Sequence, residues 1–282
     1  GLNNAYNANI ISIANEQLIR TPVDEASFVD LERAGSRYIF IVNADGTLVI
    51  YQTLISESVS GFTPAFLTQS YGNAYFRWVT SNFDGRAWFV TERELANAAT
   101  PVAIASVASS QLTATGINLS TTRPTAIQFT TSGTLPVSSP QVAIDTWYWA
   151  LGLNANTIKV YSSQEDALAD ENAFVFTNAG TSSNVAPYPL TTRFFIEEIS
   201  NEITTDCAGL YNGAATATIS GQTRFNAQEI IMRGDGFAFN DIPINGDVYF
   251  EAHGQEREIE EAEYGFPINV VIEPMPLAIP VG

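Results

Sequence analysis

One lysine, one cysteine and one histidine are spread over 282 residues, and only 12 basic side chains stand against 30 acidic ones. Each scarcity excludes something. Nucleic-acid grip rests on Lys and Arg displacing phosphate counterions, and a net charge of −18 with Lys159 as sole lysine argues against a dedicated DNA-gripping protein. A lone Cys207 cannot form an intrachain disulfide, and with a lone His253 it cannot supply a zinc-finger ligand set. No uninterrupted apolar run reaches about 18 residues, so no membrane insertion is expected. The chain opens Gly1-Leu2-Asn3-Asn4, without Met and without the basic-then-apolar pattern of a signal peptide. The expectation is a processed chain or part of a longer polypeptide.

What is present points to a folded protein. Hydrophobic residues make up 45% and charged residues only 15%, the opposite of a disordered composition. The length fits about two domains. Charge divides the chain into three: residues 1–98 carry 10 acids and 6 bases (−4), 99–189 carry 5 and 2 (−3), and 190–282 carry 15 and 4 (−11). The borders, Ala96 to Pro101 and Asn184 to Pro189, are uncharged and Pro-bearing, as linkers are. The expected organisation is an N-terminal helix with β hairpins over 1–98, an inserted small β domain over 99–189, and an acidic β domain with an extended Pro-rich tail over 190–282.

Ile10, Ile13, Ala14, Gln17 and Leu18 fall at helical spacing, and a second short helix is expected over Asp24–Arg33. Strand signals follow. Tyr38–Val42 and Thr47–Tyr51 flank Asn43-Ala44-Asp45-Gly46, and Tyr75–Thr80 and Arg86–Val90 flank Asn82-Phe83-Asp84-Gly85. Asp-Gly suits the positive φ of hairpin turns. The two turns lie 39 residues apart, close to the roughly 40–45-residue period of a propeller blade. Two units do not close a propeller, so the alternatives are a partial propeller or a sandwich. The middle segment reads as short strands with one capped helical turn at Ser163–Leu168, and Arg233-Gly234-Asp235-Gly236 is a third hairpin turn. The fold class is all-β and multi-domain.

No catalytic site emerges. Nucleophile-elbow and phosphate-loop patterns are missing, His253 reads as a surface histidine, and Cys207, with no basic neighbour in sequence, reads as an inert half-buried thiol. Calcium at Asp241, Asn245 and Asp247 lacks the EF-hand frame, and an Asn-Gly turn explains those residues better. No metal and no cofactor is expected. Thirty acids leave a two-carboxylate glycosidase open. Glu256, Glu258, Glu260, Glu261 and Glu263 form the densest acidic group, a solvated face or the lining of a channel. Trp147 and Trp149 share one face if their segment is extended, which suits sugar stacking or, more commonly, core packing. The Arg233-Gly234-Asp235 adhesion tripeptide is already explained by the turn.

The run Arg37 to Leu48, ending Asn43-Ala44-Asp45-Gly46-Thr47-Leu48, resembles the repeated strand pair of tail nozzle (tail tubular, DNA-stabilisation) proteins of short-tailed bacteriophages. Phe76–Thr80 and Arg86–Val90 are similar to its next hairpin, and Ala14–Val23 to the element before it. In the last third, Phe195–Glu198, Thr205–Ala208, Glu229–Gly236 and Tyr264–Leu277 resemble its later strands, hairpin and exit motif. The middle segment, with Ile127–Pro136, Trp147–Trp149 and Phe176–Thr181, resembles a small β module common in phage virion proteins.

The resemblance implies a virion structural component rather than an enzyme. It would be a tail subunit forming a six-fold homo-oligomeric ring with other phage tail proteins, retaining DNA and then passing it without sequence-specific binding. Six copies would carry −108 (6 × −18), a like-charged wall for a DNA conduit. Pro267, Pro274, Pro276 and Pro280 then suggest an arm that lies on a neighbour or caps a sheet edge. The alternative expectation is a surface adhesin or receptor- and glycan-binding module of a tail fibre, using Trp147 and Trp149.

Overall fold

The computed structural model describes residues 17–30, 36–54, 59–82, 85–200, 203–252 and 255–268. It is all-β, as the strand signals indicate. The first sheet is an antiparallel meander of β1 (Pro22–Asp30), β2 (Ser36–Asn43), β3 (Leu48–Leu54) and β4 (Val59–Ala65). The helix expected over Asp24–Arg33 is replaced there by β1. Exposure alternates with period two, with Asp24, Ala26 and Phe28 half-buried between exposed neighbours. Pairing with β2, including Phe28 opposite Tyr38, satisfies the backbone in place of a helix. The helix expected at Ile10–Leu18 lies outside the described residues except for Gln17 and Leu18.

β5 (Ala74–Ser81) and β6 (Ala87–Ala96) form the second sheet with a strand that arrives much later, β15 (Leu190–Glu198). The first two sheets pack face to face, with Phe40, Val42 and Leu48 against Phe76, Val79 and Phe89. The repeated hairpins thus lie in two different sheets that pack on each other. The Asp45-Gly46 turn ties them: Gly46 has φ +85°, and its carbonyl accepts the Phe76 N–H at 2.9 Å.

Between β6 and β15 the chain builds a closed six-stranded barrel. Its strands are β7 (Val102–Ala108), β8 (Gln111–Ala114), β9 (Thr125–Thr134), β11 (Tyr148–Gly152), β12 (Thr157–Tyr161) and β14 (Thr181–Tyr188). A small ribbon of β10 (Val137–Ser139) and β13 (Val175–Asn178) and one short helix, α1 (Gln164–Ala169), decorate it. Ser163 caps that helix by accepting the Asp166 N–H. The core is continuous, from Leu112 and Ile127 through Phe129 to Val185. Entry and exit are stitched together: the Asn97 N–H donates to Pro189 O and the Ala99 N–H to Pro187 O. The barrel therefore sits in the tip of a β6–β15 hairpin.

The last third forms a sheet of β16 (Thr205–Thr216), β18 (Ile230–Gly234), β19 (Phe237–Asp241) and β23 (Ile259–Pro267), in the order β16-β23-β18-β19. Two minor ribbons join it, β17 (Thr218–Ile219) with β20 (Val248–Tyr249), and β21 (Glu251–Ala252) with β22 (Gln255–Glu256). Asp235 and Gly236, with φ of 47° and 83°, make a two-residue turn between β18 and β19. The core centres on Phe225, Phe250 and Phe266 and takes in Leu95 from β6 and Phe195 from β15.

The three units meet around Tyr71, which is 2% exposed. Gln228 brackets its backbone, accepting from the Tyr71 N–H at 2.9 Å and donating to its carbonyl. Its hydroxyl accepts the Ala126 N–H of the barrel at 3.3 Å. Beside it, Arg123 of the barrel grips Glu94 of β6 with two bonds of 3.1 and 2.7 Å. The Arg123 hydrogen bond holds the Glu94 carboxyl below its ordinary value of 4.5, against the opposing effect of burial.

Two outcomes are expected. A Cβ at Gly46 would lie 2.5–2.9 Å from the root of the Tyr75 ring, which cannot swing clear. Gly46→Ala should therefore cost about 1–3 kcal/mol in urea denaturation, combining left-handed strain with overpacking. Because the folded pKa of Glu94 is depressed, its stabilisation is present above the unfolded value and lost as pH falls through the folded one. Glu94→Gln should lower stability at neutral pH by less than about 1 kcal/mol, since the pair is partly exposed. It should also flatten the fall in melting temperature from about pH 5 to pH 3.

Candidate functional site

Along β6, residues Ala87, Phe89, Thr91, Arg93 and Leu95 point inward, so period two delivers a guanidinium to the interior. Arg93 is completely buried. It donates through Nε and Nη2 to Glu197 of β15 at 3.0 and 2.8 Å, and through Nη2 to Asp206 of β16 at 2.7 Å. The Phe266 ring lies 5.5 Å from its central carbon. One cation thus joins three strands from two sheets. Burial pulls the Arg93 pKa down, but the Glu197 hydrogen bonds and the two carboxylate charges outweigh it and raise it, so the group stays charged. For Asp206 burial wins over Arg93 and lifts the carboxyl above its ordinary range.

Cys207 follows, with φ +52°. Its thiol is pushed up to about 11 by burial, which outweighs the opposing charge of Arg93. The structure corrects one sequence inference here: basic neighbours do exist, brought by β6 and by Arg224, yet the thiol is inert because burial dominates.

Above this ion centre opens an apolar cleft of about 580 Å³, walled by Leu67, Phe76, Phe89 and Ile199 and reached by Ile268. Glu197 and Asp206 sit on its lining. A two-carboxylate hydrolase working in this cleft would draw on these acids. Both, however, are oriented onto Arg93 amid hydrocarbon walls, a geometry suited to locking strands rather than to passing a proton to a sugar.

The outer face of the second sheet is unusual. Ile196 of β15, Val90 of β6 and Trp78 of β5 stand opposite one another in register, a row across all three strands. Ile196 is 79% exposed, Trp78 54%, and the adjoining Phe194 59%. Arg77 and Glu92 pair at 2.6 Å beside the row. Contiguous exposed apolar surface of this kind marks contact surfaces.

The acidic run divides. Glu256, Glu258, Glu260 and Glu261 are exposed, whereas Glu263 is half-buried and accepts bonds from the Thr204 N–H at 2.6 Å and from the Thr204 and Thr205 hydroxyls. Burial raises the Glu263 pKa, but these bonds outweigh it and bring it below its ordinary value. Trp147 and Trp149 are half-buried at the three-way junction. Trp147 meets Tyr188 edge-on at 4.7 Å and donates to Pro243 O, while Trp149 meets Tyr71 at 4.6 Å. Asp235 of the adhesion-like tripeptide accepts the backbone N–H groups of Glu260 and Glu261. Asp241 accepts those of Ile242 and Tyr249. Among the described residues no group of three His, Cys, Asp or Glu is placed to hold a metal ion, and no helix is long and apolar enough to cross a membrane. His253 lies outside the described residues.

Comparison with models of known protein families, with curated proteins and with solved structures gave no match in any of the three.

Removing the guanidinium leaves two buried carboxylates facing each other. Arg93→Met should destabilise by about 3–5 kcal/mol in equilibrium denaturation. Arg93→Lys should recover only part of this, because an ammonium cannot reproduce the fork to Glu197 and Asp206.

Proposed function

We propose that this chain is a non-enzymatic structural subunit of a bacteriophage virion, a tail nozzle or tube component that assembles into a ring which retains DNA and then lets it pass. The observation that carries this reading is the apolar row of exposed Ile196, half-buried Val90 and exposed Trp78, with exposed Phe194 beside it, on an otherwise strongly acidic molecule. Surface of that kind is typical of subunits that bury it against neighbours. The resemblance of the β2–β3 and β5–β6 segments to tail nozzle strand pairs supports reading that assembly as a tail nozzle or tube. In such a ring the exposed carboxylates Glu256, Glu258, Glu260 and Glu261 line or flank the passage and keep DNA from adhering by like-charge repulsion.

A receptor- or glycan-binding role would call on Trp147 and Trp149, whose rings are already engaged by Tyr188 and Tyr71. The geometry favours the assembly reading. Light scattering and electron microscopy of the purified protein at micromolar concentration should show a closed, uniform oligomer with a central opening. A monodisperse monomer under those conditions would overturn the reading.

A further inference from the structure

The open sheets leave several edges, and nearly all are blunted. β1 carries Asp24, Glu25 and Asp30 and a register shift near Pro22. β4 contains Pro64. In β5 a bulge at Arg77 breaks the register, the Phe76 N–H is taken by Gly46 O, and the Val79 N–H is taken by the Asp24 carboxylate. Two irregularities interrupt β16, and β19 is five residues long. These are the usual devices that stop one sheet from adding to another.

β15 carries charges (Arg193, Glu197 and Glu198) but has no proline, bulge or register shift. It pairs with β6 over nine consecutive residues without a shift, contains neither Pro nor Gly, and has no strand on its other side among the described residues. Its outer face presents Phe194 and Ile196, the most exposed part of the apolar row. Its inner face carries Arg193, which is exposed and directly opposite Arg93. Like charges facing across a ladder are unfavourable. Arg93 is compensated by Glu197 and Asp206, whereas Arg193 makes no ion pair among the described residues.

We propose that the free edge of β15 pairs antiparallel with β15 of a second copy of this chain. The inference rests on reading the chain as a self-assembling subunit and identifies where the copies meet. Keeping the apolar faces continuous requires that like-facing residues stand opposite each other, which limits the registers. The register centred on Phe195 sets Phe194 against Ile196 of the second copy, Thr192 against Glu198, and Arg193 against Glu197, each twice by symmetry. It sets Arg193 beside Glu197 of the second copy, a carboxylate that already accepts from its own Arg93, and extends the Trp78–Val90–Ile196 row onto Phe194 of the second copy. Registers centred on Phe194 or Ile196 leave Arg193 opposite an apolar side chain. Arg193 thus guards the edge against other strands while admitting its own kind, as specificity devices do. A two-fold contact alone closes at a pair, so a ring also needs a second, heterologous contact, and six chains would then be three pairs with dihedral rather than cyclic six-fold symmetry.

The test uses the full chain. Thr192→Cys/Glu198→Cys places two thiols at directly opposed positions, within disulfide reach in the proposed register. Within one chain these positions stand about 20 Å apart along the strand, so they cannot pair with each other. Under mild oxidation this variant should give a covalent dimer, and the parent, whose single thiol is Cys207, should not. Ile196→Lys, at a position exposed enough to leave the fold intact by circular dichroism, should weaken self-association about tenfold or more in sedimentation. If the parent oligomerises, the double cysteine fails to cross-link and Ile196→Lys assembles normally, the β15 contact is refuted while the assembly reading stands. If the parent remains monomeric and no cross-link forms, both fall.

Discussion

A single buried guanidinium holds the body of this protein together. Among the described residues, Arg93 lies on the strand that contributes to three cores: Phe89 to the first two sheets, Leu95 to the C-terminal sheet, and Ala96 to the junction with the barrel. Its partners come from the next two strands of the body, β15 and β16, so the ion centre fixes where the chain turns from one sheet into the next. A buried ion pair is a weak source of net stability but a demanding one, because its members have no tolerable alternative arrangement. Hydrocarbon packing could accept several placements of the C-terminal sheet on β6 and β15. The bidentate fork to Glu197 with Asp206 alongside accepts far fewer.

The same strand pair links the body to the barrel. The barrel closes on itself and therefore presents no sheet edge, while its attachment is mixed: Tyr71, Trp147, Trp149 and Tyr188 form an aromatic collar, and the Arg123–Glu94 pair stands at its rim. Among the described residues, the barrel is closed and the outer strands other than β15 carry bulges, shifts or prolines or are short, while β15 pairs on one side only. The exposed carboxylates and the apolar row on the second sheet give the surface two chemically opposite regions.

Much of the fold was legible in the sequence because it is local. The hairpins at Asp45-Gly46 and Asp235-Gly236 form where the turn chemistry places them, since positive φ at Gly46, Asp235 and Gly236 is a property of a few adjacent residues. Ser163 caps its short helix for the same reason. Asp24–Arg33 misled because a short amphipathic stretch is ambiguous, and the edge of a neighbouring sheet decides the outcome. The ion centre was not legible. Glu197 and Asp206 lie 104 and 113 residues from Arg93, and nothing local marks either carboxylate as a partner. The one available signal was parity: Arg93 falls on the same alternation as Phe89 and Leu95, which marks a charge facing inward. The acidic run showed the converse, since composition alone could not separate Glu263, held by Thr204 and Thr205, from its exposed neighbours.

The barrel's position in the hairpin tip also bears on how the chain finds its structure. Ala96 pairs with Leu190, so β6 must wait for a strand 94 residues away (190 − 96). Closing an unstructured loop of that length costs about 4 kcal/mol of chain entropy before any ladder bond forms. The barrel's own contacts all lie within the intervening segment. Once it has folded, the bonds from Asn97 to Pro189 and from Ala99 to Pro187 hold its two ends side by side. The insertion then acts as a staple, converting the slowest pairing in the body into the closing of a short hairpin.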